Sequence, residues 1–577
     1  MILLTIFIAG IILLCLGYKL YGKYLEKQFE IDYSAKMPSE TKQDGKDYVP
    51  TKIWVLFGHH FSSIAGAGPI VGPITAALLF GWIPALLWII IGCIFIGGMH
   101  DFAALVVSVR NGGDSISSIC KKYLNPLSYK LYLGFVWIAL VYIIIVFCDL
   151  TASTFVPDVS KIADEVKKAA TLQEGSGIAY ASFFYIIFAM CFGILTKTKK
   201  ISFVTGTCIF VPLVFVTIFV TQYLPTMNFI MLDNAKITVS LIILAYCFIA
   251  SMLPVWFLLQ PRDYLSSYLL FVCIVLSFIG IIISCFTGSA QIQFVGWKGW
   301  YAEGQGYLFP VLFITIACGA ISGFHSLVSS GTTSKQAENP RDMKRIGYGA
   351  MVVEAVLALI SLCAIMILAK DKADMFNTPN AIFANGFGVF ASKLGIPVAM
   401  GSSFALLAIS TFLLTTLDTC TRLARYISEE LMQKKGLVMD CIYTLLVLVL
   451  PVAMVFVKMP NPANPDTFIP VWKAIWPLFG ATNQLLAALA LLVVYIVRIY
   501  RKKTTMFVFI PMIFMMFTSI AGLGQMLMEN LHSGNWLILI LSGILLVLTF
   551  IICIDVIIMR RKINKENIQQ IQKNVDA

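Results

Sequence analysis

The side chains in this sequence that are best suited to proton or ion chemistry are ionisable groups inside long apolar runs. They include four of the five histidines of the chain. The set consists of His59, His60, His100, Asp101, Asp149, His325, Glu354, Asp418 and Asp555, of which Asp149, Asp418 and Asp555 lie near span ends. A charge at the centre of a bilayer costs about 2.5–3.5 kcal/mol, so an ionisable residue retained there is a functional candidate. Because histidine titrates near neutral pH, these histidines are candidates to carry a coupling proton.

Two of the histidines lie beside a concentration of glycine and proline, in the segment GHHFSSIAGAGPIVGP at 58–73. Proline removes an amide donor and glycine weakens a helix by about 1 kcal/mol, so the chain is predicted to unwind around Ala65 to Pro69. Interrupted helices of this type build the binding sites of secondary transporters, whereas the alternative is a packing kink among small residues. The predicted substrate-binding residues of this segment are His59, His60, Ala65, Gly66, Gly68 and Pro69.

A second interruption is predicted in the run ASMLPVWFLLQPRD at 250–263, where Pro254 falls in the middle of a span. This span is the sixth from the first interrupted one and runs in the opposite direction, which is the relation expected of inverted repeats of five helices. We therefore expect Ser251 and Pro254, together with His325, to complete the substrate site. A simple proline kink is the alternative.

The segment CGAISGFHSLVSSGTT at 318–333 is rich in hydroxyl groups and glycine. Its oxygens are hard ligands that suit Na⁺, and with the carbonyl groups near Ala65 they form a candidate cation site. The alternative is that the serines bond back to their own helix. The predicted ion-coupling residues are His100, Asp101, Ser326, Ser329, Ser330, Glu354 and Asp418. We expect no cofactor beyond H⁺ or Na⁺ as the coupling ion and no metal, because the histidine spacing matches no zinc motif.

The composition shows which elements must carry these residues. The chain of 577 residues is 59% hydrophobic and 12% charged, against roughly 25% charged in soluble domains. It therefore predicts an all-α polytopic membrane protein, in which about 20 apolar residues make one span. Fifteen spans are predicted, at 2–18, 53–80, 82–108, 131–148, 178–196, 201–223, 237–259, 264–286, 307–332, 347–369, 397–417, 437–457, 474–497, 505–527 and 535–558.

The distribution of basic residues predicts the orientation. Alternating the loops along fifteen spans places 32 of the 42 lysines and arginines on the side of the C-terminus. The positive-inside rule then puts the N-terminus outside and the C-terminus in the cytoplasm. The net charge of +12 is thus explained by topology, and we expect a small-molecule substrate and lipid as partners but no nucleic acid.

The sequence contains no P-loop, no HExxH, no GxSxG and no TVGYG filter. Direct ATP coupling and the potassium-channel class are therefore excluded. A secondary transporter, rather than an enzyme, is the favoured interpretation. Two alternatives are a membrane-embedded metal-dependent enzyme that uses the His/Asp set, and a nutrient sensor with a transporter-like core.

The same segments resemble the carbon starvation protein A (CstA) family. The similar stretches are GHHFSSIAGAGPIVGP at 58–73, HDF at 100–102, SMLPVWFLLQPRDYLS at 251–266, SGFHSLVSSGTT at 322–333, TTLDTCTR at 415–422 and WPLFGATNQLLAA at 476–488. The resemblance implies multi-pass uptake systems of the inner membrane, used in starvation, that import peptides or, in some members, pyruvate by proton symport. It also implies a leucine-transporter-type core of two inverted repeats. On this chain the repeats would be 53–223 and 237–417, preceded by an extra helix and loop at 1–52 and followed by four additional helices and a tail at 437–577.

Overall fold

The computed structural model describes residues 1–44, 48–123, 126–159, 164–227, 230, 234–254, 256–369, 373, 376, 378–461, 464–533 and 535–575. Over these residues the protein is helical, apart from two short antiparallel strand pairs. The predicted all-α, polytopic class is therefore confirmed.

The helices follow one another with short links. In the first half they are α1 Ile2–Leu16, α2 Gly22–Gln28, α3 Pro38–Thr41, α4 Ile53–Ile64, α5 Gly68–Phe80, α6 Trp82–Gly92, α7 Gly98–Arg110, α8 Ile116–Tyr123, α9 Pro126–Phe155, α10 Glu165–Lys197, α11 Phe203–Thr221, α12 Ala235–Met252 and α13 Leu259–Phe286. In the second half they are α14 Leu308–Thr315, α15 Ala317–Ala320, α16 Gly323–Val328, α17 Ser334–Gln336, α18 Gly349–Met366, α19 Pro379–Ser392, α20 Val398–Met432, α21 Leu437–Val455, α22 Val471–Tyr500, α23 Met506–Ser533 and α24 Trp536–Val575.

Single π-helical turns and short strands complete the chain. The π turns are Gly17–Tyr21, Cys93–Gly97, Ser329–Thr333 and Lys344–Tyr348. The strands β1 Tyr301–Ala302 and β2 Gly306–Tyr307 form one hairpin, and β3 Met459–Asn461 pairs with β4 Asn464–Ile469. The π turn at Cys93–Gly97 lets α6 continue into α7, and the one at Ser329–Thr333 continues α16.

Fourteen helices in the described part of the chain are long and apolar enough to cross a membrane. They correspond to fourteen of the fifteen predicted spans, although α20 extends to Met432, well beyond the predicted end at 417. The remaining predicted span, 307–332, is broken into the short helices α14 to α17. The difference therefore arises from the interruption of one apolar segment.

The two most interrupted segments lie against each other at the centre of the fold. A Cβ added to Gly68 in α5 would overlap the Cβ of Cys318, and one added to Gly72 would lie 2.8 Å from the carbonyl oxygen of Thr315. The contacting residue number falls as the number along α5 rises, so the two segments run antiparallel. Glycine allows this approach because it has no side chain to exclude the partner backbone.

The helix α22 is enclosed over its whole apolar length, unlike α23 and α24, which follow it. It packs on α7, α9 and α16. Among the four helices predicted as additions after residue 437, α22 is thus the one enclosed by the rest of the fold. Its face carries Gly480, where an added Cβ would collide with the carbonyl of Ile314, so close packing on the second interrupted segment depends on this glycine.

Candidate functional site

The predicted break between residues 64 and 70 is confirmed. The helix α4 ends at Ile64, Ala65 leaves the helical region with φ −78° and ψ 57°, and α5 begins at Gly68. Proline is favoured in the first turn of a helix because it lacks the amide that this position leaves unpaired, and Pro69 occupies that turn. Two half-helices, α4 and α5, are thus joined by an unwound link whose residues are all buried.

The link is closed in by two other helices. A Cβ added to Gly66 would lie 2.9 Å from Oγ1 of Thr416 in α20 and 3.0 Å from a ring carbon of Phe147 in α9. A larger residue at this position would displace one of these side chains. Sequence reasoning missed Thr416 and Phe147, although TTLDTCTR was among the stretches that resemble the family.

The second interruption lies at Ile321 and Ser322, whose backbones are extended. Asn483 of α22 bridges the break. Its Oδ1 accepts a hydrogen bond of 3.0 Å from the amide of Phe324, and its Nδ2 donates to Oγ of Ser322 at 3.0 Å. The asparagine therefore satisfies a free amide at the start of α16, as an N-cap side chain does. Sequence reasoning assigned no role to Asn483, although WPLFGATNQLLAA was among the stretches that resemble the family.

The prediction that Pro254 interrupts a spanning helix is wrong. The helix α12 already ends at Met252, and the next helix begins at Leu259, so Pro254 lies exposed in the link between two spans. The residue before a proline is pushed into extended backbone, and Leu253 has φ −72° and ψ 149°. The hydroxyl of Ser251 donates to the carbonyl of Phe248 and meets Thr444, so it faces α21.

Four predicted residues come together in what we call the His325 cluster, formed by His100, Asp101, His325 and Glu354. Nδ1 of His100 lies 2.7 Å from Oδ1 of Asp101, and Nδ1 of His325 lies 2.8 Å from Oδ2 of the same carboxylate. Nε2 of His325 lies 3.4 Å from Oε2 of Glu354. All four side chains are fully buried, so the charge of the two carboxylates must be balanced by bound protons or another cation.

Three elements hold this cluster. Asp101 and His100 lie on α7, His325 on the half-helix α16, and Glu354 on α18. Because α16 begins at the second break, any shift of that half-helix changes the distances between His325 and both carboxylates. The cluster can therefore link proton occupancy to the position of an interrupted helix.

The hydroxyl groups of the segment 326–333 are largely used within the helix. Oγ of Ser326 donates to the carbonyl of Gly323 at 2.7 Å, and Oγ of Ser330 donates to that of Ser326 at 2.6 Å. Thr333 instead meets Nδ1 of His60 at 2.8 Å. Oγ of Ser329 is buried with no hydrogen-bond partner among the described residues, so it is the hydroxyl of this segment that remains available to a ligand.

A second buried network surrounds Arg262, a residue that sequence reasoning assigned to the cytoplasmic end of a span. This Arg262 network contains His59, Tyr246, Arg262, Asp263 and Asp418. Nη1 of Arg262 pairs with Oδ2 of Asp418, and Nη2 lies 3.4 Å from Oδ1 of Asp263. Nδ1 of His59 lies 3.0 Å from Oδ2 of Asp263, and the hydroxyl of Tyr246 donates to Asp418 at 2.8 Å. Asp418 is fully buried, although the sequence placed it near a span end.

His59 and His60 connect the two networks to one half-helix. Successive residues of a helix point about 100° apart, so the two rings leave α4 in different directions. His59 meets Asp263 of α13, while His60 meets Thr333 beside the half-helix that carries His325. The last two turns of α4, directly before the break at Ala65, thus contact both sets of ionisable groups.

Comparison with known proteins shows the family to which the chain belongs. The family model described as carbon starvation protein CstA matches residues 3–386 and 377–522. The chain belongs to this CstA family. One relative is the peptide transporter CstA of Campylobacter jejuni, 31% identical over 92% of this chain and 80% of the relative. The pyruvate/proton symporter BtsT of Escherichia coli is 29% identical over 87% of this chain and 78% of the relative.

Two solved transporter structures are among those to which this CstA-family chain is similar. A manganese transporter of Eremococcus coleocola covers 90% of this chain and 99% of its own at 13% identity and a TM-score of 0.40. MhsT in complex with L-phenylalanine covers 88% and 98% at 13% identity and a TM-score of 0.36.

Proposed function

We propose that this chain is a secondary active transporter that imports small carboxylate-bearing nutrients, peptides or pyruvate, across the cytoplasmic membrane by proton symport during starvation. The observation that carries the proposal is the position of the His325 cluster at the junction of two interrupted helices. The relatives named as a peptide transporter and as a pyruvate/proton symporter support the same class of substrate. Family membership supports the link to starvation.

The His325 cluster is proposed to bind the coupling proton. His325 lies between the carboxylates of Asp101 and Glu354. One proton added to His325 or Glu354 therefore makes the net charge of this pair neutral, without a large movement of either side chain. Buried ionisable groups of this kind mark proton pathways in transporters. The Nδ1–H of His100 donates to the other oxygen of Asp101 and holds that carboxylate in place.

The substrate carboxylate is proposed to bind at the start of α5. The cap residue of this half-helix, Ala67, has no side chain that can accept a hydrogen bond. A helix N-terminus carries about half a positive charge and free amides, which suit an anionic group. Thr416 and Phe147 lie against Gly66, and Cys318 lies against Gly68, so this end of the half-helix is enclosed by protein. Ser251 and Pro254 have no place in this site.

We propose a revised division into repeats. The first would contain α4–α5, α6–α7, α9, α12 and α13, and the second α14–α17, α18, α20, α21 and α22. The packing supports it, because α9 lies on α20, α12 on α21, and α13 and α22 each lie on an interrupted helix of the pair. The hairpin α10–α11 would be an insertion, which explains why counting spans directed the prediction to Pro254 instead of Ser322.

The proposal is tested by uptake into proteoliposomes that contain the purified full-length chain. Labelled pyruvate and a labelled dipeptide are supplied in parallel, with an imposed inward proton gradient and with no gradient. We expect gradient-dependent accumulation of one of the two. Equal accumulation of label with and without the gradient, for both substrates, would refute proton symport. Uptake no higher than in empty liposomes would refute transport of these substrates.

A further inference from the structure

Away from the two buried networks, the structure contains a cavity of about 240 Å³ near the meeting point of α2, α7, α22 and α23. We call it the basic cavity. Four cationic residues line it, Arg110, Arg498, Arg501 and Lys503, with Glu30 as the one carboxylate of its lining. A volume of this size has room for about eight water molecules. The cavity is thus large enough for a small anionic group.

The positive charge of the basic cavity exceeds its negative charge. Nζ of Lys503 donates to Oε1 of Glu30 at 2.6 Å, and this hydrogen bond lowers the pKa of Glu30, which stays ionised and paired. The guanidinium groups of Arg110, Arg498 and Arg501 have no carboxylate within ion-pair distance among the described residues. Three like charges facing one space repel each other unless an anion lies between them.

Two of the three arginines are held in place by other parts of the protein. Arg498 is 4% exposed, and its guanidinium lies 4.7 Å from the ring centre of Phe29 and 4.8 Å from that of Phe507. Its Nε donates to the carbonyl of Thr504 at 2.7 Å. Arg110 donates through Nη2 to the carbonyl oxygen of Glu30 at 2.9 Å. The guanidinium groups are therefore fixed before a ligand arrives, which lowers the entropy lost on binding.

We propose that the basic cavity binds a phosphate group, carried either by an anionic lipid headgroup or by a soluble phosphate. The planar fork of arginine matches two phosphate oxygens at once, and the space is lined by Arg110 at the end of α7, Arg498 near the end of α22 and Arg501 in the link that follows α22. The cavity lies on the face predicted to be cytoplasmic. Exposed apolar side chains of α2 and α23, including Tyr24 and Met506, flank it and provide a place for acyl chains. The proposal does not depend on which substrate is transported.

The test measures thermal unfolding of the full-length chain in detergent. Inorganic phosphate, a short-chain phosphatidylglycerol and a short-chain phosphatidylcholine are added separately, with chloride at matched ionic strength as the salt control. We expect phosphate or phosphatidylglycerol to raise the Tm, and Arg110→Gln and Arg501→Gln to weaken the apparent affinity by about tenfold, as expected for the loss of one charge-assisted contact. Lys502→Gln removes the same charge one residue away, outside the lining of the cavity, and should leave the affinity unchanged.

The outcomes separate the sources of the phosphate group. Stabilisation by phosphate alone identifies a soluble ligand, and stabilisation by phosphatidylglycerol alone identifies a lipid headgroup; either supports the site. Stabilisation by neither, an equal effect of chloride or phosphatidylcholine, or an equal loss in Lys502→Gln would overturn it. If Arg110→Gln does not fold, the exposed Arg501 gives the same comparison.

Discussion

Nε2 of His325 lies 3.4 Å from Oε2 of Glu354, and neither atom has a hydrogen-bond partner among the residues that the structure describes. Both side chains are fully buried. A buried carboxylate without a donor is costly, so a proton held by either group stabilises the pair. Because the other nitrogen of His325 meets Asp101, the imidazole stands between two carboxylates that compete for its protons.

We expect Glu354→Gln to abolish accumulation driven by a proton gradient while substrate exchange survives. Glutamine has nearly the same shape but cannot release or accept the coupling proton, so the cluster would stay in one charge state. Accumulation in proteoliposomes should fall to the level seen without a gradient, whereas exchange of labelled for unlabelled substrate should continue.

Ser361→Ala is the matched control for this experiment. Ser361 lies on the same helix, is equally buried, and donates to the carbonyl of Leu357. Its removal should leave accumulation unchanged. Full accumulation by Glu354→Gln would show that this carboxylate takes no part in coupling.

Removing Arg262 should destabilise the protein strongly. Arg262→Ala leaves Asp263 and Asp418 buried without their cation, and loss of one partner of a buried ion pair costs roughly 3–5 kcal/mol. The midpoint of thermal unfolding should therefore fall. The control is Arg345→Ala, because Arg345 is 56% exposed where it pairs with Asp342, and such surface pairs contribute about 0–1 kcal/mol.

A second variant separates charge from packing in the Arg262 network. Arg262→Met combined with Asp418→Leu removes both members of the closest pair and fills their volume with apolar atoms. We expect the double variant to unfold at a higher temperature than Arg262→Ala, because one buried carboxylate instead of two has lost the arginine cation. Equal destabilisation of the two variants would contradict this explanation.

The sequence predicts the parts of the fold that depend on local composition. The apolar runs gave the helices, and the glycines and prolines from Gly66 to Pro69 gave the first break, because each of these residues weakens a helix by itself. The second break could not be found in this way. Gly319 and Gly323 flank this break, but they do not single out Ile321 and Ser322. The hydrogen bonds that join Ser322 and Phe324 to Asn483 come from about 160 residues away.

The sequence predicts several members of the candidate site but not the contacts between them, because those contacts depend on tertiary packing. His325, Asp101 and Glu354 were identified singly by their position in apolar runs, but nothing in their spacing shows that they meet. Arg262 was placed between the predicted spans 237–259 and 264–286 by the count of apolar runs. Its burial follows from Asp418 and Tyr246, which are brought to it by tertiary packing.

Close packing of the two interrupted segments can be tested at Gly68. Gly68→Ala should destabilise the protein by about 1–3 kcal/mol or more, because the new Cβ overlaps the side chain of Cys318. Gly68→Ala combined with Cys318→Gly removes the side chain that the new methyl group overlaps, and this double variant should recover much of the thermal stability. Gly134→Ala in α9, where no atom lies within 4 Å, should be neutral or slightly stabilising. If the double variant does not recover thermal stability, a contact other than the one with Cys318 determines how closely the two segments pack.

The proposed orientation gives a prediction for surface labelling. Lys199→Cys and Lys434→Cys lie in loops predicted to face the cytoplasm, so an impermeant thiol reagent added to intact cells should not modify them. Trp300→Cys, in the exposed loop between α13 and α14, should be modified. The parent chain serves as background for its own cysteines. If the reagent modifies Cys at position 199 or 434 in intact cells, the orientation in the membrane is the opposite of the one proposed.

The His325 cluster and the serines of the segment 326–333 lead to a prediction about the coupling ion. Uptake under a proton gradient in buffers without Na⁺ should proceed at full extent, because the His325 cluster provides titrating groups at the junction of the interrupted helices.

Ser329→Ala should then have no effect on the dependence of uptake on Na⁺. Sodium requires about five or six oxygen ligands, and the hydroxyls of Ser326 and Ser330 are already committed to backbone carbonyls of their own helix. Ser330→Ala provides the comparison, since it removes a helix-bonded hydroxyl from the adjacent position. If accumulation begins only when Na⁺ is added, and Ser329→Ala raises the Na⁺ concentration needed for half-maximal uptake while Ser330→Ala does not, Na⁺ and not H⁺ drives transport.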